Sequence, residues 1–236
     1  MNRLADILKT FGELLSYPND RTMPTTEWLY CMIKDDLPEA ASRVSEFGLW
    51  SEQTNQGDWE EAYTQTFDNS PKCALEVGWH LFGEEYARGM FLVRMREEMR
   101  RFRIVESGEL PDHLVHVLQI VAAMPANEAE RFATACVLPG VKKLRDGVAA
   151  VSTPYEAIVV ALVEVLEHIW PGVGEHSGAG ENTWERSGDP LHAFPVADVI
   201  PNCNGCEGQM ELVPLTGGSS HPLSDKSQAQ IPEVDK

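Results

Sequence analysis

An all-α fold is what this sequence predicts, on three observations. Apolar residues recur at steps of three and four through most of the first 170 positions, no window sustains the alternation of a strand, and capping or breaking residues interrupt the pattern at ordinary helix spacing. The count that fits is about eight or nine helices in a single domain over residues 1–170. From 171 to 236 the composition turns to Gly, Pro and Ser, which predicts a flexible C-terminal tail with one docked piece at most, between Leu191 and Leu215.

Leu4, Ile7, Leu8, Phe11, Leu14 and Leu15 mark one face of a first helix, closed by Tyr17-Pro18-Asn19-Asp20. Thr25-Thr26-Glu27 opens a second through Trp28, Leu29, Met32 and Ile33. A short third helix runs from Pro38 to Phe47, and Gly48 and Gly57 bracket a polar loop. Asp58 is a candidate cap for a fourth, holding Trp59, Ala62, Tyr63 and Phe67, and Asn69-Ser70-Pro71 breaks it.

The stretch from Phe67 to Leu118 organises the chain. Leu75, Trp79, Phe82, Tyr86, Met90 and Val93 share one face of a single long helix, whose other side carries Glu84, Glu85, Arg88, Arg94, Arg96, Glu97, Glu98, Arg100 and Arg101. This helix is expected to stop near Ser107-Gly108. Pro111 suits the first position of the next one, which buries Leu114, Val117, Leu118 and Val121. Asn127-Glu128-Ala129-Glu130 has capping-box form and opens a helix ending at Pro139-Gly140; another follows from Val141 to Val151. Thr153-Pro154-Tyr155-Glu156 opens the last, which Pro171-Gly172 ends.

Composition narrows the function. With 19 Lys and Arg against 37 Asp and Glu, the net charge of −18 argues against nucleic acid or an anionic membrane as partner; a basic segment is its natural complement, and acidity that merely keeps the protein soluble is the equal alternative on charge alone. The first residues lack the apolar core of a secretory signal, and the apolar run from Ala157 to Trp170 is too short to span a bilayer, so a cytoplasmic location without membrane insertion is expected. Five cysteines without an export signal read as reduced thiols. Cys203 and Cys206 have the spacing of half a zinc site or of a redox pair, but no second pair completes the former and no helix or strand context supports the latter, so they read first as incidental tail cysteines.

The cluster from Glu109 to His116 admits three readings. Asp112 offers a carboxylate to an arginine beside an aromatic helix, as a peptide site requires. Alternatively Asp112 or Glu109 caps the helix and His113 bonds a loop carbonyl. Thirdly, Asp112 with His116, or His80 with Glu84, has the spacing of two metal ligands, although neither pair completes a zinc set. Trp79, Phe82 and Tyr86 are core residues by default; with Tyr63 and Phe67 they are also the natural walls of any groove. The chain shows no phosphate-cradling glycine loop and no nucleophile with an evident base, so no catalytic, metal or cofactor residues are assigned.

Tyr63-x-x-x-Phe67-Asp68, the segment GWHLFGEEYARG and the motif Glu109-Leu110-Pro111-Asp112-His113-Leu114 resemble the NarJ/TorD/DmsD family of cytoplasmic chaperones that assemble molybdenum enzymes. The likeness spans Leu4 to Trp170, includes Leu14-Leu15-Ser16-Tyr17-Pro18, and is nearest to the NarJ, nitrate reductase delta-type, branch. Its general motif has Pro directly after Glu; here Leu110 intervenes, which favours that branch. The resemblance implies a chaperone, not an enzyme. Its partner would be the catalytic subunit of a molybdenum, DMSO-reductase-type, oxidoreductase, bound through that subunit's N-terminal or twin-arginine segment until the cofactor is in place. The motif's binding role carries over onto Glu109, Leu110, Pro111, Asp112 and His113. A small metal-dependent enzyme using Asp112, His113 and His116, and a permanent structural subunit of a membrane reductase, are the competing readings.

Overall fold

The computed structural model describes residues 3–18 and 22–171. Among them are the α-helices α1 (Arg3–Leu14), α2 (Thr22–Ile33), α3 (Pro38–Gln53), α4 (Gln56–Phe67), α5 (Val77–Phe82), α6 (Tyr86–Arg101), α7 (Leu114–Ala123), α8 (Ala126–Phe132), α9 (Leu138–Ala149) and α10 (Tyr155–Ile169). A 3₁₀ turn covers Pro71–Cys73, and a π turn, Ala133–Val137, carries α8 into α9 without a break. No strand occurs among the described residues; the one β-type pairing in them is an antiparallel bridge between Glu76 and His113. The fold is all-α, as expected. The tail beyond Pro171, with Cys203 and Cys206, lies outside the described residues.

The core follows from the apolar stripes. Leu8, Phe11, Leu14 and Leu15 of α1 and the turn after it are buried, as are Leu114, Val117, Leu118 and Val121 of α7, the helix on which α1 packs. Helix α10 lies against α3 and α9 and buries Tyr155, Ile158, Val159, Leu162 and Leu166. Its first residue is the hub of an aromatic cluster. The Tyr155 ring stands 4.9 Å from Phe67, 5.1 Å from Phe47 and 5.7 Å from Tyr63, centroid to centroid, and its hydroxyl accepts the Trp59 Nε1–H at 2.9 Å. Offset and edge-on contacts of this kind add to the burial of large rings.

Several local expectations need correction. The long central helix is two helices, because Gly83 takes φ +60° and ends α5, and α6 restarts at Tyr86 with a new phase. Its inward face is therefore Phe91, Met95, Glu98 and Met99, whereas Tyr86 is 85% exposed and Met90 and Val93 also face outward. Glu98, expected in solvent, is buried; Arg101, 3.1 Å from it, also clasps Glu128 of α8 at 2.6 Å. Helix α6 ends at Arg101, the chain turning through Arg103 at φ +56°, well before Ser107.

Caps and breaks shift as well. Helix α2 begins at Thr22, and α3 continues through Gly48 to Gln53, which removes the long polar loop. The cap of α4 is Asn55, whose side chain accepts the Asp58 N–H at 3.0 Å. Helix α8 starts at Ala126 without a side-chain cap, so the Asn127 box is not formed. Pro139 does not end a helix: it is the second residue of α9 and follows directly on the π turn Ala133–Val137, whose wider turn accommodates the missing N–H and the ring. At the start of α10, Thr153 Oγ1 accepts the Tyr155 N–H at 3.4 Å, a remnant of the expected box.

Candidate functional site

The ELPDHL segment is a loop laid across the N-terminus of α5. Its backbone is stitched there by two hydrogen bonds flanking the Glu76–His113 bridge, from Val77 N–H to Asp112 C=O at 2.9 Å and from Leu114 N–H to Leu75 C=O at 3.0 Å. Helix α7 begins only at Leu114, so Pro111 is a buried turn residue and not the first helical one. Neither Asp112 nor Glu109 caps it. The cap is His113, whose Nδ1 accepts the Val115 N–H at 3.2 Å. That bond requires an unprotonated Nδ1, and burial together with His116 lowers the His113 pKa to about 4.

His116 fixes the other end of the loop. Its Nε2 accepts the Ser107 N–H at 3.1 Å and lies 3.0 Å from the Ser107 hydroxyl, and its Nδ1–H donates to Leu110 C=O at 2.9 Å. Both histidines are thus spent on loop geometry. Asp112 is fully buried, its Oδ2 3.3 Å from Arg88 Nε of α6. Gly78 makes room for that carboxylate: a Cβ there would sit 2.5 Å from Asp112 Oδ2 and 2.9 Å from the Phe91 ring. Burial raises the Asp112 pKa, with the Arg88 charge and the Gly78 N–H working against it. Asp112 Oδ2, His113 Nδ1 and both ring nitrogens of His116 are thus engaged by protein partners, Asp112 Oδ1 is buried without one, and no group of three or more His, Cys, Asp or Glu among the described residues is placed to hold a metal.

In front of this loop opens a groove of about 510 Å³. Tyr17, Tyr63, Phe67, Leu75 and Trp79 supply apolar and aromatic wall; Asp68, Glu76 and Glu109 supply carboxylates; Leu110 and His113 form the ELPDHL side. Arg88 is the one cation among the lining residues, and it is already engaged, by Asp112 and by the Trp79 ring 5.4 Å from its guanidinium carbon. The groove is therefore electronegative. Burial raises the Glu76 pKa, and Asp112 and Glu109 add to that while Arg88 opposes it.

Of the expected site residues, Tyr63, Phe67, Trp79, Glu109, Leu110 and His113 come together on this groove. Four do not line it. Phe82 packs on Phe91 at 5.5 Å, Tyr86 projects from α6 into solvent, and Pro111 and Asp112 lie beneath the surface, Asp112 acting through Arg88. Tyr63 and Phe67 pack around Tyr155, and meet Trp79 only across the groove. Sequence reasoning missed Tyr17, Asp68, Glu76 and Arg88 as groove residues. A usable signal existed for Glu76, a carboxylate inside the apolar run Leu75-Glu76-Val77; nothing local marks Tyr17, which reaches the site by packing edge-on against Tyr63 at 5.4 Å.

No helix among the described residues is long and apolar enough to cross a membrane. Comparison with curated proteins returns no match. Residues 33–159, just over half of the chain, match the family of the nitrate reductase delta subunit, and this stretch holds all of α3 to α9 and most of the groove. The chain belongs to the nitrate reductase delta subunit family, a family of assembly chaperones for molybdoenzymes.

Proposed function

We propose that the groove receives the N-terminal segment of the catalytic subunit of a DMSO-reductase-type molybdenum oxidoreductase, a twin-arginine segment where the client carries one, and holds it in the cytoplasm until the cofactor is inserted. The observation that carries this reading is the pairing, in one open groove, of aromatic wall with three carboxylates whose one cationic neighbour, Arg88, is already engaged. An extended segment with apolar and basic side chains fits both features. Tyr63 and Phe67 are rigidly packed, so little side-chain entropy is lost on binding. No chemistry by the chain is required, because holding an immature client needs only higher affinity for that state.

The test is binding of a fluorescent peptide copied from the client's N-terminus. Glu76→Gln with Glu109→Gln keeps shape while removing two charges, and weakens binding about tenfold with little change in melting temperature. Association also slows as salt rises, since the acidic field is screened. Unchanged affinity in the double variant would refute the groove as the client site.

A further inference from the structure

Trp79 lines a second cavity as well, of about 540 Å³, together with Pro71, Lys72, His80, Lys143, Asp146, Gly147 and Ala150. Pro71 and Trp79 line both cavities, so they form a shared ridge. The charge reverses across it. On the near side stand Asp68, Glu76 and Glu109; on the far side stand Lys72 and Lys143, and the single carboxylate there, Asp146, is matched by Arg145 at 2.8 Å.

The far side is also structurally fixed. Lys143 Nζ donates to His80 C=O at 2.6 Å, holding the ammonium at the carbonyl end of α5, where the helix dipole favours it. His80 Nε2–H donates to Ala74 C=O at 2.7 Å, tying the far cavity to a residue that lines the near one. Gly147 lets the Lys72 backbone press directly onto α9, since a Cβ there would overlap the Lys72 carbonyl. In a chain with a net charge of −18, two lysines on a cavity rim beside an aromatic ridge are a local exception to the general field.

Building on the client-groove reading, we propose that the bound segment is bipolar: its basic side chains lie among Asp68, Glu76 and Glu109, an apolar residue rests on the Pro71–Trp79 ridge, and acidic side chains beyond it meet Lys72 and Lys143. Charge order along the segment, not basicity alone, then sets which clients are held. A merely cationic peptide fills half the surface, and an acidic flank adds affinity where the protein's overall charge would lead one to expect repulsion.

Two fluorescein-labelled peptides test this: one with an arginine pair, a central Leu-Phe and a glutamate pair, and one with the glutamates replaced by glutamines. The intact protein binds the glutamate peptide about fivefold more tightly, the scale of two exposed ion pairs. Lys72→Glu with Lys143→Glu abolishes or inverts that preference, weakening the glutamate peptide relative to the glutamine peptide. Lys72→Glu alone, which spares the Lys143 bond to α5, moves the preference the same way by about twofold. Equal binding of both peptides by the intact protein, or an equal loss for both in the lysine variants, would overturn the bipolar reading. Indifference of both peptides to Glu76→Gln with Glu109→Gln would instead overturn the groove itself.

Discussion

Replacing Gly78 by alanine tests the geometry beneath the groove, because intrinsic propensity and packing demand opposite signs. In an exposed helix interior, Gly→Ala stabilises by roughly 0.5–1 kcal/mol. Gly89 of α6 is such a position: it is exposed, and an added Cβ meets nothing within 4 Å. At Gly78 the same methyl would lie 2.5 Å from Asp112 Oδ2 and 2.9 Å from Phe91 Cδ1. Phe91 is fully buried and packed on Phe132, so it has no room to yield. Asp112 must move away from Arg88 and the Gly78 N–H, within a site that is itself fully buried. Overpacking costs about 1–3 kcal/mol and a weakened charged hydrogen bond about 1–3 more, so after the propensity gain Gly78→Ala destabilises by about 1–5 kcal/mol. Gly89→Ala, the control, stabilises by about 0.5–1 kcal/mol. Urea denaturation of both variants, with unchanged slope as the check on two-state behaviour, measures the difference. Equal stability of the two would mean that Asp112 is not lodged against α5.

The pH dependence of stability follows from His113. Its pKa, lowered to about 4 in the fold against 6.5 for the free side chain, means that the unfolded chain binds the proton first as pH falls; the contribution is complete above about pH 6.5 and lost towards pH 4. Across that window the protein should lose about 3 kcal/mol more than His113→Gln, the raised Asp112 and Glu76 pKa values acting oppositely in both; parallel pH curves would refute it. Asp112→Asn should change stability by less than about 1 kcal/mol, because the cost of burying the carboxylate, seen in its raised pKa, offsets what the Arg88 charge returns; a core-sized loss would show that the ion pair outweighs desolvation. Tyr86→Ser should change stability by less than about 0.5 kcal/mol, its ring being 85% exposed; a core-sized loss would restore the single long helix.

Helix identity was legible wherever an apolar stripe ran unbroken, as in α1, α7 and α10, since periodicity records burial directly. It failed at Gly83. A single residue at positive φ rotates everything after it, and the stripe Tyr86, Met90, Val93 continues the period of α5 by coincidence while the fold buries Phe91, Met95 and Met99. The site was half legible for a related reason. Residues that a motif places side by side, Glu109 to His113, separate by depth in three dimensions, so that Glu109, Leu110 and His113 reach the groove and Pro111 and Asp112 support it. Tyr17 and Glu76 arrive from elsewhere in the chain, and only tertiary packing shows that.

The aromatic hub at Tyr155 has a kinetic consequence. Its bond to Trp59 closes a separation of 96 residues, and its ring backs Tyr63 and Phe67, two walls of the groove. Contacts that distant in sequence form late, after the local helices, because loop closure must come first. During synthesis α10 leaves the ribosome after every other described helix, so the groove walls acquire their backing only once Tyr155 has docked. A nascent or C-terminally shortened chain that lacks Tyr155 therefore presents the helices around the groove without the ring that backs Tyr63 and Phe67.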